Sequence, residues 1–138
     1  MGYTLLKHTP SAKVHCHIRG RAGLTPKKVD IAEKALPHSI YGVSIINDED
    51  QSIVGMGRII GDGYLFLQIV DVAVLPEHQK KGLGKIIMRA LVDWIDKNTT
   101  KDCYVSLFAV GKAYLLYESF GFVSSMPKSQ GMIYARPV

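Results

Sequence analysis

A chain of 138 residues is long enough for one domain around one hydrophobic core, and 47% apolar with 21% charged residues is a globular rather than a disordered composition. A net charge of +5 and a pI near 9.2 attract anions, yet there is no run of five consecutive Lys/Arg and no basic strand interleaved with aromatics, so nucleic acid is not the expected partner. Two separated cysteines, Cys16 and Cys103, with no CxxC pair, argue against a disulfide scaffold and a zinc site. The absence of a signal-like start or of about 18 consecutive apolar residues argues against secretion and membrane insertion; a single cytoplasmic domain over residues 1–138 is expected.

Tyr3–Lys7 reads as a short first strand. Residues 10–36 are mixed, with a break at Gly20–Thr25; Thr25-Pro26 can serve as N-cap and first helical residue, so a helix is expected over Pro26–Leu36, ended by Pro37. Tyr41–Asn47 and Ile53–Ile60 read as strands flanking the polar turn Asp48–Gln51, and Gly61-Asp62-Gly63 turns the chain again. Tyr64–Leu75 is nearly continuous in apolar residues, as in a strand buried on both faces, and Pro76 ends it.

Gly84–Asn98 is the clearest helix, with Leu83, Ile86, Ile87, Ala90, Leu91, Trp94 and Ile95 on one apolar stripe. Tyr104–Phe108 is a short strand. Ala113, Leu116, Tyr117 and Phe120 repeat the helical spacing, and Gly121 caps that helix. Phe122–Ser125 and Met132–Arg136 read as closing strands. The pattern is mixed α/β.

The region with most chemistry runs from Val72 to Lys85, where an apolar strand leads through a glycine turn into the long helix. The first amides of a helix lack internal partners and carry partial positive charge, so such a helix start is an anion site. Gly82 and Gly84 remove side chains where a pyrophosphate would approach, and Lys80, Lys81 and Lys85 add charge. A P-loop does not fit, because Lys85 is followed by Ile86 and no glycine stands five residues before Gly84. A dinucleotide fingerprint lacks its third glycine, the position being Ile87. A glycine pair with lysines is also an ordinary solvated turn.

Gln79-Lys80-Lys81-Gly82-Leu83-Gly84 resembles the Gln/Arg-x-x-Gly-x-Gly/Ala signature of the GCN5-related N-acetyltransferase (GNAT) superfamily. Asp71–Glu77 resembles the strand before that signature, and Ala113–Phe122 resembles the later Ala-x-x-Leu-Tyr-x-x-x-Gly-Phe element. The likeness covers roughly residues 53–132. Within the superfamily, Ser106–Ala109 and Gly131-Met132 are similar to small members of the plant and cyanobacterial serotonin N-acetyltransferase type. The resemblance implies a mixed, mostly antiparallel sheet of six to seven strands with about four flanking helices. It also implies acetyl-CoA as co-substrate, a small amine as acceptor, no metal, and a homodimer as a family-level expectation.

By the same resemblance, the amides of Gln79, Lys80, Lys81, Gly82, Leu83 and Gly84 hold the cofactor pyrophosphate, with Lys85 beside them. Val72, Ala73 and Val74 offer backbone groups to the pantetheine arm as an added strand does, and an amide at Val72 or Ala73 serves an oxyanion. Tyr117 matches the general acid; donation from a phenol of pKa about 10 to a thiolate of about 8.5 is uphill by roughly 2 kcal/mol. By spacing alone, Tyr117 reads first as a core residue on the stripe of Ala113, Leu116 and Phe120; the resemblance reverses that order. Where the family often has Asn, seven residues before this Tyr, the chain has Val110, and Lys112 is the nearest polar replacement.

Asp71, a carboxylate in an apolar strand, could take the acceptor's proton, hold its ammonium, or simply bond to a neighbouring backbone group or arginine. Glu77, His78 and His38 are further polar candidates near the same region, with His78 the second choice of base. His15-Cys16-His17 suggests metal only superficially, since residues two apart on a helix face different ways. Gly55-Met56-Gly57-Arg58 resembles the family's third strand, its glycines serving close packing. A non-catalytic CoA-binding regulatory module is the alternative reading.

Overall fold

Short β-branched runs separated by polar turns pair with one another in the order in which the chain makes them. The computed structural model describes residues 2–137, which fall into two units divided between Leu107 and Phe108. In the first unit β1 (Tyr3–Leu6), β2 (Tyr41–Asn47), β3 (Ile53–Gly61), β4 (Phe66–Val74) and β5 (Tyr104–Ser106) form one sheet in the order 1-2-3-4-5. The first three pairings are antiparallel and β4–β5 is parallel.

Turn chemistry sets the strand ends. Gln51 takes a left-handed φ of 65° in the β2–β3 turn and donates its amide to the Asn47 carbonyl. Asp62 Oδ1 accepts the amides of Tyr64, Leu65 and Phe66 at 2.7–3.1 Å. That Asx-type cap consumes donors which a ladder would need, so β4 begins at Phe66 and not at Tyr64. Nor is β4 buried on both faces. Leu67, Ile69 and Ala73 are buried, the residues between them are partly covered, and Phe66 is exposed.

The helix α3 (Leu83–Asn98) lies on one face of the sheet. Leu83, Ile87, Met88, Leu91 and Ile95 are its buried side chains, whereas Ile86, placed on the apolar stripe by spacing, is exposed. Gly57 explains how closely helix and strand approach: a Cβ there would stand 2.6 Å from Ile87 Cγ2 and 3.1 Å from Leu91 Cδ1. Burial of each large aliphatic side chain in this layer contributes about 1.5–3 kcal/mol.

The opposite face carries α1 (Ala12–Arg21) and α2 (Val29–Ala35), the latter followed by a 3₁₀ turn, Leu36–His38. Ser11 caps α1 by accepting the Val14 amide, and Ile18 packs with Met56 and Ala73. The helix expected over Pro26–Leu36 is shorter: Lys28, not Thr25, is the extended N-cap residue, and the chain tightens at Leu36 as Pro37 approaches.

In the second unit α4 (Tyr114–Glu118) is the one α-helix among the described residues, closed by Gly121 at φ 92° with the Phe122 amide returning to the Tyr117 carbonyl. The strands expected at Phe122–Ser125 and Met132–Arg136 are not formed, so the described residues hold five strands rather than six to seven, with four α-helices. Alternation assigns side chains to faces, but a strand also needs a backbone partner, and these segments make no ladder. Val123, Met132, Ile133 and Tyr134 are correspondingly exposed.

Candidate active site

The turn between β4 and α3 is built by local conformation. Pro76–His78 forms a single 3₁₀ turn, and the Gln79 side chain reaches back to donate to the Val74 carbonyl at 2.9 Å. Lys80 takes φ 62°, and Gly82, the N-cap of α3, takes φ 82° with no side-chain cap. Nothing lies within 4 Å of a Cβ built on Gly82, so the glycine is required by its left-handed backbone and not by crowding.

The first bond of the helix is Ile86 N to the Gly82 carbonyl. No amide from Lys80 to Lys85 donates to a described residue, which leaves a run of free donors at the positive end of the helix dipole. Lys80, Lys81 and Lys85 are exposed, and none has an ion-pair partner among the described residues.

The edge of β4 leading into this turn is half open. Pairing with β5 covers only Phe66, Leu67 and Gln68, so Ile69–Val74 have no β5 partner. On its other edge β4 follows β3, where Met56 pairs with Ala73 and Arg58 with Val70. Two steps on β3 thus match three on β4, a bulge of one residue. Asp71 sits in it at φ 61°, a conformation that Asp tolerates better than most residues but that still stores strain of order 1 kcal/mol.

The bulge turns Asp71 towards α1. Oδ1 accepts from Arg19 Nη1 at 2.5 Å; Oδ2 accepts from Arg58 Nε at 2.6 Å and lies 3.0 Å from His15 Nε2. His15 and Arg19 are one helical turn apart on α1, which is why both reach one carboxylate. Burial alone would raise the Asp71 pKa. Hydrogen bonds from His15 and Arg58, with their charges, outweigh it and hold the carboxyl well below the usual carboxylate range. Arg19 also donates twice to the Thr25 carbonyl, and Arg58 Nη1 donates to Ser39 Oγ at 3.2 Å.

The other candidates lie as follows. His78 Nδ1 is 2.7 Å from the Tyr3 hydroxyl, and Glu77 is ion-paired with Arg21 at the surface. His38 is exposed. His15 and His17 diverge, the first buried on Asp71 and the second exposed; among the described residues no group of three His, Cys, Asp or Glu gathers as metal ligands would.

In the second unit, Tyr117 is buried with its ring edge-on to Phe122, and burial raises the pKa of its hydroxyl. That hydroxyl bonds to no described residue and is not sealed from solvent. Lys112 and Val110 are exposed in the loop before α4. His15, Arg19 and Arg58 were missed as partners of Asp71. The legible signal was a histidine and an arginine four apart on a helix and a carboxylate in an apolar strand, but no spacing links the two.

A family profile for the acetyltransferase (GNAT) domain matches residues 40–124, which takes in the turn, α3 and Tyr117. Among curated proteins, the chain is 32% identical over 110 residues to the uncharacterized N-acetyltransferase ycf52 of Porphyra purpurea, covering 78% of this chain and 60% of that one. It is 31% identical over 104 residues to the chloroplastic GCN5-related N-acetyltransferase 1 of Arabidopsis thaliana, covering 75% and 52%. The chain therefore spans between half and three fifths of these relatives' length. A probable acetyltransferase from meticillin-resistant Staphylococcus aureus superposes with a TM-score of 0.91 at 36% identity, covering 97% of this chain and 99% of that one. A GNAT family protein of Streptococcus pneumoniae superposes with a TM-score of 0.78 at 27% identity, covering 97% and 98%. The matched residues include both elements that carry the expected chemistry, and the chain belongs to the GNAT family of acetyltransferases.

Proposed function

We propose that the protein moves an acetyl group from acetyl-CoA to a primary amine by direct attack in a complex of enzyme and both substrates. The observation that carries this reading is the succession of two features along the chain, a stretch of β4 beyond Gln68 that β5 leaves uncovered and the free amides of residues 80–85. The group fits this donor set. Val72 and Ala73 would take the pantetheine amides as an added strand, the Val74 carbonyl being spent on Gln79; the amides of Lys80, Lys81, Gly82, Leu83 and Gly84 would take the pyrophosphate, with Lys85 as surrounding charge, whereas the Gln79 amide is spent on the Pro76 carbonyl and Lys112 is proposed from its sequence position alone. The thioester supplies an activated acyl carbon.

Tyr117 is the proposed general acid. Its raised pKa keeps the phenol protonated through the neutral range. It also makes donation to a thiolate more uphill than the roughly 2 kcal/mol of an unperturbed pair, still a small barrier beside those enzymes lower. Asp71 is better suited to position than to proton transfer, because three side chains already hold its two oxygens and its basicity is low. His78 is then the proposed base: with Nδ1–H donating to the Tyr3 oxygen, Nε2 keeps its lone pair. The two free thiols, Cys16 and Cys103, suit a reducing compartment such as the cytoplasm, and no helix among the described residues is long and apolar enough to cross a membrane.

Calorimetry with acetyl-CoA tests the donor half. Binding at micromolar concentration is expected, and no heat from a folded sample sinks the reading. For the acid, Tyr117→Phe should lower kcat by about 10²-fold or more while leaving acetyl-CoA affinity nearly unchanged. An unaltered kcat removes Tyr117 from the mechanism. The exposed Val110, where the family often has Asn, favours a second reading as a non-catalytic CoA sensor. Tight CoA binding without turnover over a broad amine panel would support that instead.

A further inference from the structure

The Asp71 cluster is charge-imbalanced. One carboxylate serves two guanidiniums, and no second acidic side chain of a described residue pairs with either Arg19 or Arg58. All three side chains are mostly buried, at 7% exposure for Asp71, 11% for Arg19 and 14% for Arg58. With one carboxylate against two guanidiniums, the cluster carries excess positive charge in a region of low dielectric, where an uncompensated charge is unfavourable.

The two arginines are not equivalent. Arg19 is fully engaged around its fork, with Nε and Nη2 on the Thr25 carbonyl and Nη1 on Asp71. Arg58 is tethered from two edges, by Asp71 at Nε and by Ser39 at Nη1. Its Nη2 has no partner among the described residues and is not sealed from solvent. A guanidinium tethered at Nε and Nη1 holds its orientation, and the remaining N–H groups at its Nη1–Nη2 end can donate to an oxyanion. It also stands beside the β4 bulge: Asp71 precedes Val72 and Ala73, so at about 3.3 Å per residue the cluster is within a few bonds' length of the strand segment offered to the thioester arm.

We propose that Arg58 binds an oxyanion, a carboxylate or a phosphate, carried by the acceptor, so that the acceptor is an anionic amine such as an amino acid or an amino-sugar phosphate rather than a plain arylalkylamine or a polyamine. Asp71 and Ser39 are positioning residues for that guanidinium. The proposal concerns specificity and rests on the acetyl-transfer reading above.

The first measurement is kcat/KM for matched amines with and without the anion: phenylalanine against phenethylamine, and glucosamine 6-phosphate against glucosamine. The wild type should prefer one anionic member by at least about tenfold, and which pair shows it identifies carboxylate or phosphate. Arg58→Gln should erase that preference through KM, with a larger loss for the anionic member than for the neutral one and acetyl-CoA affinity within about twofold; Arg58→Lys, which keeps the charge and loses the fork, should fall between. Equal rates within both pairs, or an equal loss with both members in Arg58→Gln, overturns the proposal.

A second measurement needs no turnover: thermal stabilisation by inorganic phosphate and by N-acetylglycine, with N-acetylglycine amide as control, in wild type and in Arg58→Lys. Stabilisation by an anion that Arg58→Lys weakens supports the site; none, or an equal effect in both proteins, counts against it. The two readings fail separately. Oxyanion binding at Arg58 without turnover of any amine leaves the site and ends the acetyl-transfer reading, whereas turnover without anion preference does the reverse.

Discussion

The β4–α3 turn and the Asp71 cluster are neighbours on the same strand, yet they are made in opposite ways. The turn is contiguous. Gly82 sets the backbone, Gln79 ties the loop to the end of β4, and the donors are amides of successive residues. The cluster is assembled from α1, β3 and a bulge in β4, and each member depends on the others for compensation of its charge. A site of the first kind tolerates single side-chain changes, because its ligands are backbone groups. A site of the second kind does not, because removing one charge strands the rest in low dielectric.

Four measurements can break or sharpen that contrast. The largest effect is expected for Asp71→Asn, which leaves two mostly buried guanidiniums without a counter-charge. Unfolding free energy in urea should fall by about 3–5 kcal/mol, while acetyl-CoA affinity of the folded fraction changes little. A loss below about 1 kcal/mol would mean that the cluster is a solvated surface network.

The same carboxylate predicts a pH dependence of opposite hand to the turn's indifference. Its folded pKa lies below the unfolded value of about 3.9, so its stabilisation is present in full above that value and is lost as pH falls towards the folded one. The urea midpoint of the wild type should therefore drop more steeply between pH 5 and about pH 2 than that of Asp71→Asn. Parallel curves would mean that the carboxylate has no special stabilisation.

Smaller effects are expected in the turn. Gly82→Ala places a Cβ on a left-handed residue with open space around it, so about 1–2 kcal/mol of backbone strain is expected without a clash. In hydrogen exchange that strain should loosen the first turn of α3 and leave the sheet unaffected; an effect spread over the whole first unit would show that the turn is not autonomous. Least of all, Lys81→Gln should weaken acetyl-CoA binding by about 0.3–1 kcal/mol, two- to fivefold, and the difference should vanish at high salt. A larger loss that salt does not touch would make Lys81 a specific ligand and not part of a field.

Legibility followed the same division. Residues 79–84 could be read as an anion site because glycine positions, a preceding apolar strand and a following amphipathic helix all lie within one short stretch. Gly57 could be read as a packing glycine through the resemblance of Gly55–Arg58 to the family's third strand, but that the close approach is to Ile87 and Leu91 came only from the structure. Asp71 could be noticed, as a carboxylate in an apolar run, but its three partners could not be named. They lie 13, 52 and 56 residues away, and no local pattern encodes a separation of that kind. The C-terminal strands were over-read, because apolar alternation at Phe122–Ser125 and Met132–Arg136 describes faces and not backbone partners.

The sequence by itself determined the mixed α/β character, the succession of the first five strands, the long amphipathic helix, the glycine turn before it and the paired motifs of an acetyltransferase. All are set by interactions among residues close in the chain, where periodicity and turn chemistry act. Only the tertiary structure decided that β4 bulges at Asp71, that its pairing with β5 stops at Gln68, and that one carboxylate is left to hold two arginines. Those outcomes depend on register between strands and on which helix face meets which strand. Both are settled by burial over the whole sheet, to which no single stretch of sequence contributes enough to foretell the result.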